Sequence, residues 1–280
     1  MNAEVFAFIA VIMFALDSVI FRYVMKRGAD EWASMIWLHW ASLLVLIPFY
    51  GIPDLGSYYL SDILILLVSS ALWMVADLNN TKAYRYLDAS VMELLSSLRF
   101  ILIAMAGVII FGESINRYGL IGMLLIIGAT LSQLEFKNIE MNKGIALKLL
   151  AVCFAAGAMV TDKHLAERLS EGFILIYGFL VPAVFYTALG YRSIPKVIPS
   201  LKSSNFVLML APIACAGYYA FLIKAFATGE LFTTFTIQQT AIIFIFLLEF
   251  WLLGVRSRAT ARFGACAVCA VGCTMVCVLS

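Results

Sequence analysis

Ten apolar runs, separated by short polar connections, dominate this chain of 280 residues. They span approximately residues 3–24, 33–50, 61–81, 89–111, 118–134, 144–162, 172–190, 204–226, 231–253 and 260–279. Each run is about long enough for a helix to cross a ~30 Å hydrocarbon core at ~1.5 Å rise per residue. The connections leave no room for a soluble domain. The pattern therefore predicts an all-α integral membrane protein with ten transmembrane helices.

The composition supports this fold class. Apolar residues make up 64% of the chain and charged residues 13%, whereas soluble domains hold roughly 45–50% and about 25%. The positive residues nearest the first run follow it, which is not the arrangement of a cleavable signal peptide. The cysteines all lie inside apolar runs, so we expect neither a disulfide framework nor a metal site. They are Cys153, Cys215, Cys266, Cys269, Cys273 and Cys277.

The charges of the connections predict an orientation in the membrane. The odd-numbered connections hold 14 Lys or Arg residues, and the even-numbered ones hold four. Those of the odd-numbered connections are Arg22, Lys26, Arg27, Lys82, Arg85, Lys137, Lys143, Lys148, Arg192, Lys196, Lys202, Arg256, Arg258 and Arg262; the other four are Arg117, Lys163, Arg168 and Lys224. Positive residues concentrate in cytoplasmic loops. Both termini are therefore expected on the non-cytoplasmic side of the inner (plasma) membrane.

The chain also contains a weak internal repeat. With an offset of 142, the matched pairs are Ala83 and Ala225, Tyr84 and Phe226, Asp88 and Glu230, Gly112 and Gly254, and Gly122 and Gly264. We expect two five-helix repeats, over residues 1–136 and 137–280, with the polar segment 135–143 as the linker. Five is an odd number, so the second repeat would enter the membrane inverted relative to the first. Inverted repeats are typical of transporters that alternate access around a midplane site.

Residues 82–131 carry a family resemblance. This segment contains the connector K-A-Y-R-Y-L-D-A-S, a helix ending in F-G-E-S-I, and the following R-Y-G-L-I-G-M-L-L-I-I-G. In these motifs and in its layout the chain resembles the drug/metabolite transporter (DMT) superfamily, especially the ten-span EamA-type branch. The resemblance implies two EamA-like repeats and secondary transport without ATP or a cofactor. Members of this superfamily carry amino acids, sugars, nucleotides, choline, vitamins and drugs, so the fold alone does not identify the substrate.

The chain departs from the pattern of this branch at two positions. The branch usually has a proline in the fourth span near Arg99 and Phe100, and this chain has none there. In the second repeat Val255 follows Gly254, where the family often has an acidic residue. Both departures leave the predicted fold intact and weaken the transfer of a substrate from the family.

Ionisable side chains inside the runs are the first candidate site residues, because each costs roughly 2.5–3.5 kcal/mol on insertion scales. Asp17 lies in the first run, Asp77 in the third, and Glu93 and Arg99 in the fourth. In one interpretation Arg99 pairs with Asp17, Glu93 or Asp77 and only locks helices together. In the other, these side chains face a water-filled cavity. There Arg99 would bind an anionic group of the substrate, and Asp17 or Glu93 would take a substrate amine or a coupling proton.

Histidine and amide side chains near the midplane extend this set. His39 is expected either to relay protons, since its unperturbed pKa is ~6.5, or to be hydrogen-bonded between helices. The candidates for proton coupling are therefore Asp17, Glu93 and His39. Gln238 and Gln239 lie near the centre of the ninth run and are expected to contact the substrate.

Three aromatic residues lie deeper than an interfacial belt requires: Trp40, Trp73 and Tyr218. They are expected to wall a pocket for a ring-bearing or amphipathic metabolite, by stacking or by cation–π contact. The alternative is that they face lipid or pack in the core. Glycines in the fifth and tenth runs allow close approach of helices, either within the chain or in a homodimer.

The sequence therefore favours a secondary transporter of a small organic metabolite, such as an amino acid or another zwitterionic or amphipathic compound. The alternative within this class is an exporter that exchanges a cationic drug or metabolite for protons. Other classes are a membrane assembly factor and an intramembrane enzyme. The sequence lacks H-E-x-x-H and G-x-S-x-G, so we expect no enzyme activity. The expected partners are the substrate and the lipid bilayer, with no cofactor and no nucleic acid.

Overall fold

The structure, a computed structural model, describes residues 2–113, 116–133, 143–254 and 259–279. Its α-helices are α1 Ala3–Lys26, α2 Glu31–Tyr50, α3 Leu60–Ala83, α4 Ala89–Ser96, α5 Arg99–Phe111, α6 Arg117–Gln133, α7 Lys143–Ala166, α8 Glu171–Leu189, α9 Val197–Ser203, α10 Ala211–Thr228, α11 Leu231–Gln239, α12 Ala241–Leu252 and α13 Ala259–Leu279. Short 3-10 helices cover Leu55–Ser57, Tyr191–Lys196 and Val207–Leu210. The described residues contain no β-strand, which confirms the all-α fold class.

Each of the ten predicted runs contains helix in its described part. Seven helical segments are long and apolar enough to cross a membrane. They are Ala3–Lys26, Glu31–Tyr50, Leu60–Ala83, Lys143–Ala166, Glu171–Leu189, Val207–Thr228 and Leu231–Leu252. Three shorter apolar helices, Arg99–Phe111, Arg117–Ala129 and Phe263–Gly272, fall in the remaining runs. The chain is thus a multi-pass membrane protein. Ten spans stay a prediction, and the boundary between residues 136 and 137 lies outside the described residues.

Two of the predicted spans are broken in the middle. The fourth run divides into α4 and α5 at Ser97 and Leu98, and the ninth divides into α11 and α12 at Thr240. Tight i→i−3 bonds replace the α-helical pattern there: the Leu98 N–H donates to the Leu95 carbonyl (3.2 Å), and the Thr240 N–H to the Ile237 carbonyl (3.0 Å). The Thr240 hydroxyl also donates to the Ile237 carbonyl (2.7 Å). Such back-bonding is compatible with a bend at this position.

The most extensive helix pairings all join the part of the chain before residue 134 to the part after residue 142. They are α1 with α10, α3 with α7, α2 with α8, and α6 with α13. Between α6 and α13 the backbones come close, because a Cβ added to Gly272 would lie 2.7 Å from the carbonyl oxygen of Gly122. These two glycines therefore serve packing within the chain. Large apolar side chains such as Phe49, Ile109 and Trp251 point outward, as expected of a surface in contact with lipid.

Two connectors are each held by a buried cation. Arg22, near the end of α1, donates to the Tyr84 carbonyl (2.7 Å) and pairs with Asp88. Lys163, near the end of α7, donates to the carbonyls of Phe226 (2.9 Å) and Gly229 (2.7 Å). A cation at the carboxyl end of a helix compensates the partial negative charge of the last carbonyls. The residues from Tyr84 to Asp88 and from Phe226 to Glu230 are called the first and second connector below.

The structure corrects the count of loop charges. Arg22, Lys148 and Lys163 were counted with the connections, but all three are buried parts of helices. The excess of positive residues on the odd-numbered connections keeps its direction without them. The predicted orientation of the termini stays a prediction.

Candidate functional site

A cavity of about 110 Å³ lies among α1, α2, α3, α7, α8 and α10, and the residues at the break between α4 and α5 also line it. This volume is well above the ~10–15 Å³ that one water molecule requires on the same measure. Six of the predicted site residues line it: Asp17, His39, Trp73, Asp77, Arg99 and Tyr218. Side chains from separate parts of the sequence thus meet in one place, and their roles in binding or proton coupling stay predictions.

Asp17 brings an unsatisfied acceptor into this cavity. Its Oδ1 atom is buried and has no hydrogen-bond partner among the described residues. Asp77, on α3, lines the same cavity and is close enough to interact electrostatically with Asp17. A buried carboxylate oxygen without a donor costs free energy. This end of the cavity therefore favours a molecule that supplies N–H or O–H donors and positive charge.

Arg99 brings the opposite chemistry. It is the first residue of α5, directly after the break in the fourth span, and it is buried. Its protein contacts are weak: Nε lies 3.4 Å from the Ser96 carbonyl, Nη1 lies 3.6 Å from Met159 Sδ, and the guanidinium lies 5.2 Å from the centre of the Phe235 ring. Among the described residues Arg99 forms no ion pair. The expected helix-locking pair with Asp17, Glu93 or Asp77 is therefore not made in direct contact.

Lys148 is a cavity residue that the sequence analysis missed. It lies on α7, is buried, and its Nζ donates to Asn80 Oδ1 (2.9 Å). It lines the cavity together with Arg99. Glu93 is buried just outside the lining and interacts electrostatically with both cations. The position of Lys148 inside the apolar run 144–162 is the sequence feature that could have indicated its burial. The sequence analysis instead assigns Lys148 to the adjoining connection.

Asp162 is the second residue that sequence reasoning missed. It is 0% exposed and accepts three hydrogen bonds, from Ser69 Oγ (2.5 Å), Trp73 Nε1 (2.7 Å) and Tyr219 Oη (2.9 Å). Trp73 and Tyr219 both line the cavity. Their rings pack edge to face with centroids 6.4 Å apart. Asp162 thus fixes two aromatic walls of the cavity from behind.

The neighbouring α2 residues His39 and Trp40 point to different sides of the helix. His39 lines the cavity, and its Nδ1 bonds the Met35 carbonyl of its own helix (2.9 Å). Trp40 does not line the cavity: it is 42% exposed and donates to Thr187 Oγ1 (2.9 Å) on the outside of the bundle, because the α2 residue next to His39 points the other way. The predicted substrate contact of Trp40 is therefore not supported by its position.

Gln238 and Gln239 are also outside the cavity lining. They form the end of α11, next to the break at Thr240, and both are buried. Their Nε2 atoms have no hydrogen-bond partner among the described residues. The sequence does not reveal the break next to which they lie.

The fold and the cavity together define a class: a multi-pass helical membrane protein with a central cavity that has aromatic walls and charged groups of both signs. Residues 1–132 match the EamA-like transporter family, which supports the resemblance to the DMT superfamily. The chain also matches 28 chains of solved structures. One of them, titled "Crystal structure of protein", is 16% identical, has a TM-score of 0.73, and matches over 99% of this chain and 96% of its own. That likeness shows a shared fold. No curated protein matches the chain.

Proposed function

We propose that this chain is a secondary transporter of the drug/metabolite type that carries a small zwitterionic or amphipathic metabolite, such as an amino acid. It works without ATP and without a cofactor. The single observation that carries this proposal is one cavity that holds a carboxylate oxygen without a donor and a buried arginine without an ion pair. The first belongs to Asp17. The second is Arg99, which has no carboxylate within ion-pair distance among the described residues.

A zwitterion would satisfy both groups at once. Its carboxylate would take the donors of Arg99 and Lys148, and its ammonium group would take Asp17 and Asp77. Aromatic rings around these charges supply the apolar walls that ligand pockets combine with a few polar groups. Phe14 and Tyr218, for example, pack with ring centroids 5.0 Å apart at this cavity.

We propose that the chain has ten spans in two inverted halves and that these halves alternate access to the cavity. Four features at an offset of 142 support this duplication. Gly112 and Gly254 both have positive φ, +67° and +66°. Leu98 and Thr240 both lie at the helix breaks. Buried cations hold the carbonyls of both Tyr84 and Phe226. The pairing of α1 with α10 and of α3 with α7 is reciprocal between the halves.

A cation/proton exporter is the second candidate, because two carboxylates and several aromatic rings line the cavity. If Glu93 offsets the charge of Arg99 and Lys148, the substrate would be a cation held by Asp17 and Asp77. Proton release from a carboxylate would then accompany binding. An assembly factor would need no such paired charges at a cavity.

Transport into proteoliposomes tests the proposal. The purified protein is reconstituted and given labelled neutral amino acids and labelled organic cations, with and without a pH gradient. We expect saturable uptake of at least one zwitterion. Uptake of cations alone, dependent on the gradient, would favour the second candidate. No flux of either class would overturn the proposed transport of these substrates.

The variant Arg99→Ala tests the binding site itself. We expect loss of transport with normal amounts of folded protein in the membrane, because the substrate carboxylate loses its bidentate donor. Arg192→Ala is the matched control, because Arg192 is exposed and its side chain donates to the neighbouring Tyr191 Oη (2.9 Å). Full activity of Arg99→Ala would eliminate the binding role.

Tags at both termini, tested for access from outside the cell, would check the proposed non-cytoplasmic termini.

A further inference from the structure

The two connectors lie at opposite ends of α1. At its start, Ala3 packs so closely on Gly229 that a Cβ added to that glycine would lie 2.7 Å from the Ala3 Cβ. At its other end, Arg22 holds the carbonyl of Tyr84. A helix of 24 residues is ~36 Å long. The second connector therefore marks one end of the molecule, and the first connector marks the other.

Glu113 caps a helix at the second connector. Its Oε1 and Oε2 accept the N–H groups of Leu231 (2.6 Å) and Phe232 (3.0 Å), the first two residues of α11. The first N–H groups of a helix have no partner within it and carry partial positive charge. Glu230, which occupies the N-cap position, makes no side-chain capping bond. The cap comes instead from a residue that follows α5, in the other half of the chain.

Glu249 does the same at the first connector. Its Oε1 accepts the N–H of Ala89 (2.7 Å), the first residue of α4. Ala89 and Leu231 are related by the offset of 142, and so are Gly107 and Glu249. A Cβ on Gly107 would lie 2.6 Å from Glu113 Oε2. Both carboxylates thus approach the opposite half from equivalent places, although they come from different positions in the sequence.

We propose that Glu113 and Glu249 are positioning residues that act as two latches in the transport cycle, one at each end of α1. Each carboxylate bonds the N-terminus of a broken span in the other half. Parting of the two halves at one end must therefore break the cap at that end. The cap at the other end stays intact and keeps that end closed.

The surroundings of the caps support this assignment. Neither glutamate lines the central cavity, so neither is needed to contact the substrate. A second cavity, of about 450 Å³, lies beside the second connector and is lined by Glu230 and Thr233. Water in such a space replaces a lost capping bond at modest cost. Both caps are made in this structure, as expected of a state with both ends latched.

Cys215 provides a built-in reporter. It is a free cysteine on α10 that lines the central cavity and is partly exposed. A membrane-impermeant thiosulfonate reagent is added to one face of sealed vesicles of known orientation, and modification of Cys215 is followed by mass spectrometry. This experiment rests on the proposed function only for its interpretation, because the labelling requires no substrate.

We expect Glu113→Gln, whose amide cannot accept both N–H groups, to raise the rate of Cys215 modification at least ~5-fold from the face where α1 begins. Glu249→Ala, which removes the acceptor of the Ala89 N–H, should raise the rate from the opposite face only. Cys215→Ser marks the background. Glu4→Gln is the matched control, since it removes an exposed carboxylate at the start of α1 and should change neither rate. Glu113→Asp, one methylene shorter, should act in the same direction as Glu113→Gln if the latter unfolds.

Three outcomes would overturn the latches: equal increases from both faces in either variant, increases from the wrong faces, or no change in any variant of either glutamate that remains folded. Sided labelling without transport of any tested metabolite would overturn the proposed substrate class and keep the latches. Transport without sided labelling would do the reverse.

Discussion

Replacing Asp162 separates the role of its charge from the role of its hydrogen bonds. In Asp162→Asn, the remaining carbonyl oxygen can take the position of Oδ2 and accept from both Trp73 and Tyr219, which donate to that atom now. The new amide group would face Ser69 Oγ, and a hydroxyl can turn from donor to acceptor. We therefore expect this variant to lose less than about 1 kcal/mol of unfolding free energy.

Asp162→Ala leaves all three donors without an acceptor. Hydrogen bonds inside membrane proteins average about 0.6 kcal/mol, which gives a lower bound of about 2 kcal/mol for three bonds. Orphaned buried donors cost about 1–3 kcal/mol each, which raises the expectation toward about 5 kcal/mol. Tyr219→Phe removes one donor only and should cost about 1 kcal/mol.

The assay is reversible unfolding of the purified protein in mixed micelles, followed by far-UV circular dichroism, with the four proteins compared at one pH. The expected order of stability is wild type, Asp162→Asn, Tyr219→Phe and Asp162→Ala, with the first two close together. If Asp162→Asn were as unstable as Asp162→Ala, the negative charge itself would hold the site together. The hydrogen-bond argument would then be refuted.

Two further predictions concern the ends of the helices. Gly107→Ala should displace Glu113 Oε2 from the Phe232 N–H, because the new Cβ would lie 2.6 Å from that oxygen. The Cys215 labelling of this variant should match that of Glu113→Gln, and a wild-type rate would count against the steric argument. Partial burial raises the pKa of Asp30, but hydrogen bonds, chiefly from Lys196, outweigh it and hold the pKa below its usual value. The ionised Asp30 side chain therefore stabilises the folded state fully above the unfolded-state pKa of ~3.9, and this stabilisation is lost as the pH falls through the lower folded-state pKa. The unfolding free energy of Asp30→Asn should depend less on pH between these two pKa values than that of the wild type. The difference should be well under 1 kcal/mol, because Lys196 is exposed.

The helical segments could be predicted from the sequence because hydropathy is a local property. Every predicted run contains helix in its described part, and six of the predicted site residues line one cavity. The break between α11 and α12 was not predictable in the same way, because no Pro or Gly lies near Thr240 in the sequence to mark it. Gln238 and Gln239 lie next to this break and outside the cavity lining, and their contact with a substrate stays a prediction.

The buried charges show the limit of reading charges from a sequence. Lys148 and Asp162 lie near the two ends of the same apolar run, where a charge is usually taken for a loop residue. Both are buried, because α7 packs its charged ends against α3, where Asn80 and Trp73 provide partners. Only the pairing of these two helices makes that visible. Trp40 is a case of the opposite kind: it lies outside the cavity lining, since depth in the membrane does not tell which side of a helix faces inward.

The packing of α1 on α10 and of α3 on α7 has a consequence for how the protein is made. The ribosome delivers the first 133 residues before the helices that cover them, so the polar faces carrying Asp17 and Asp77 meet lipid or solvent until α7 and α10 are inserted. The part that matches a known family is thus not a self-sufficient unit. We therefore expect residues 1–133, expressed alone, to be degraded faster in the membrane than the whole chain.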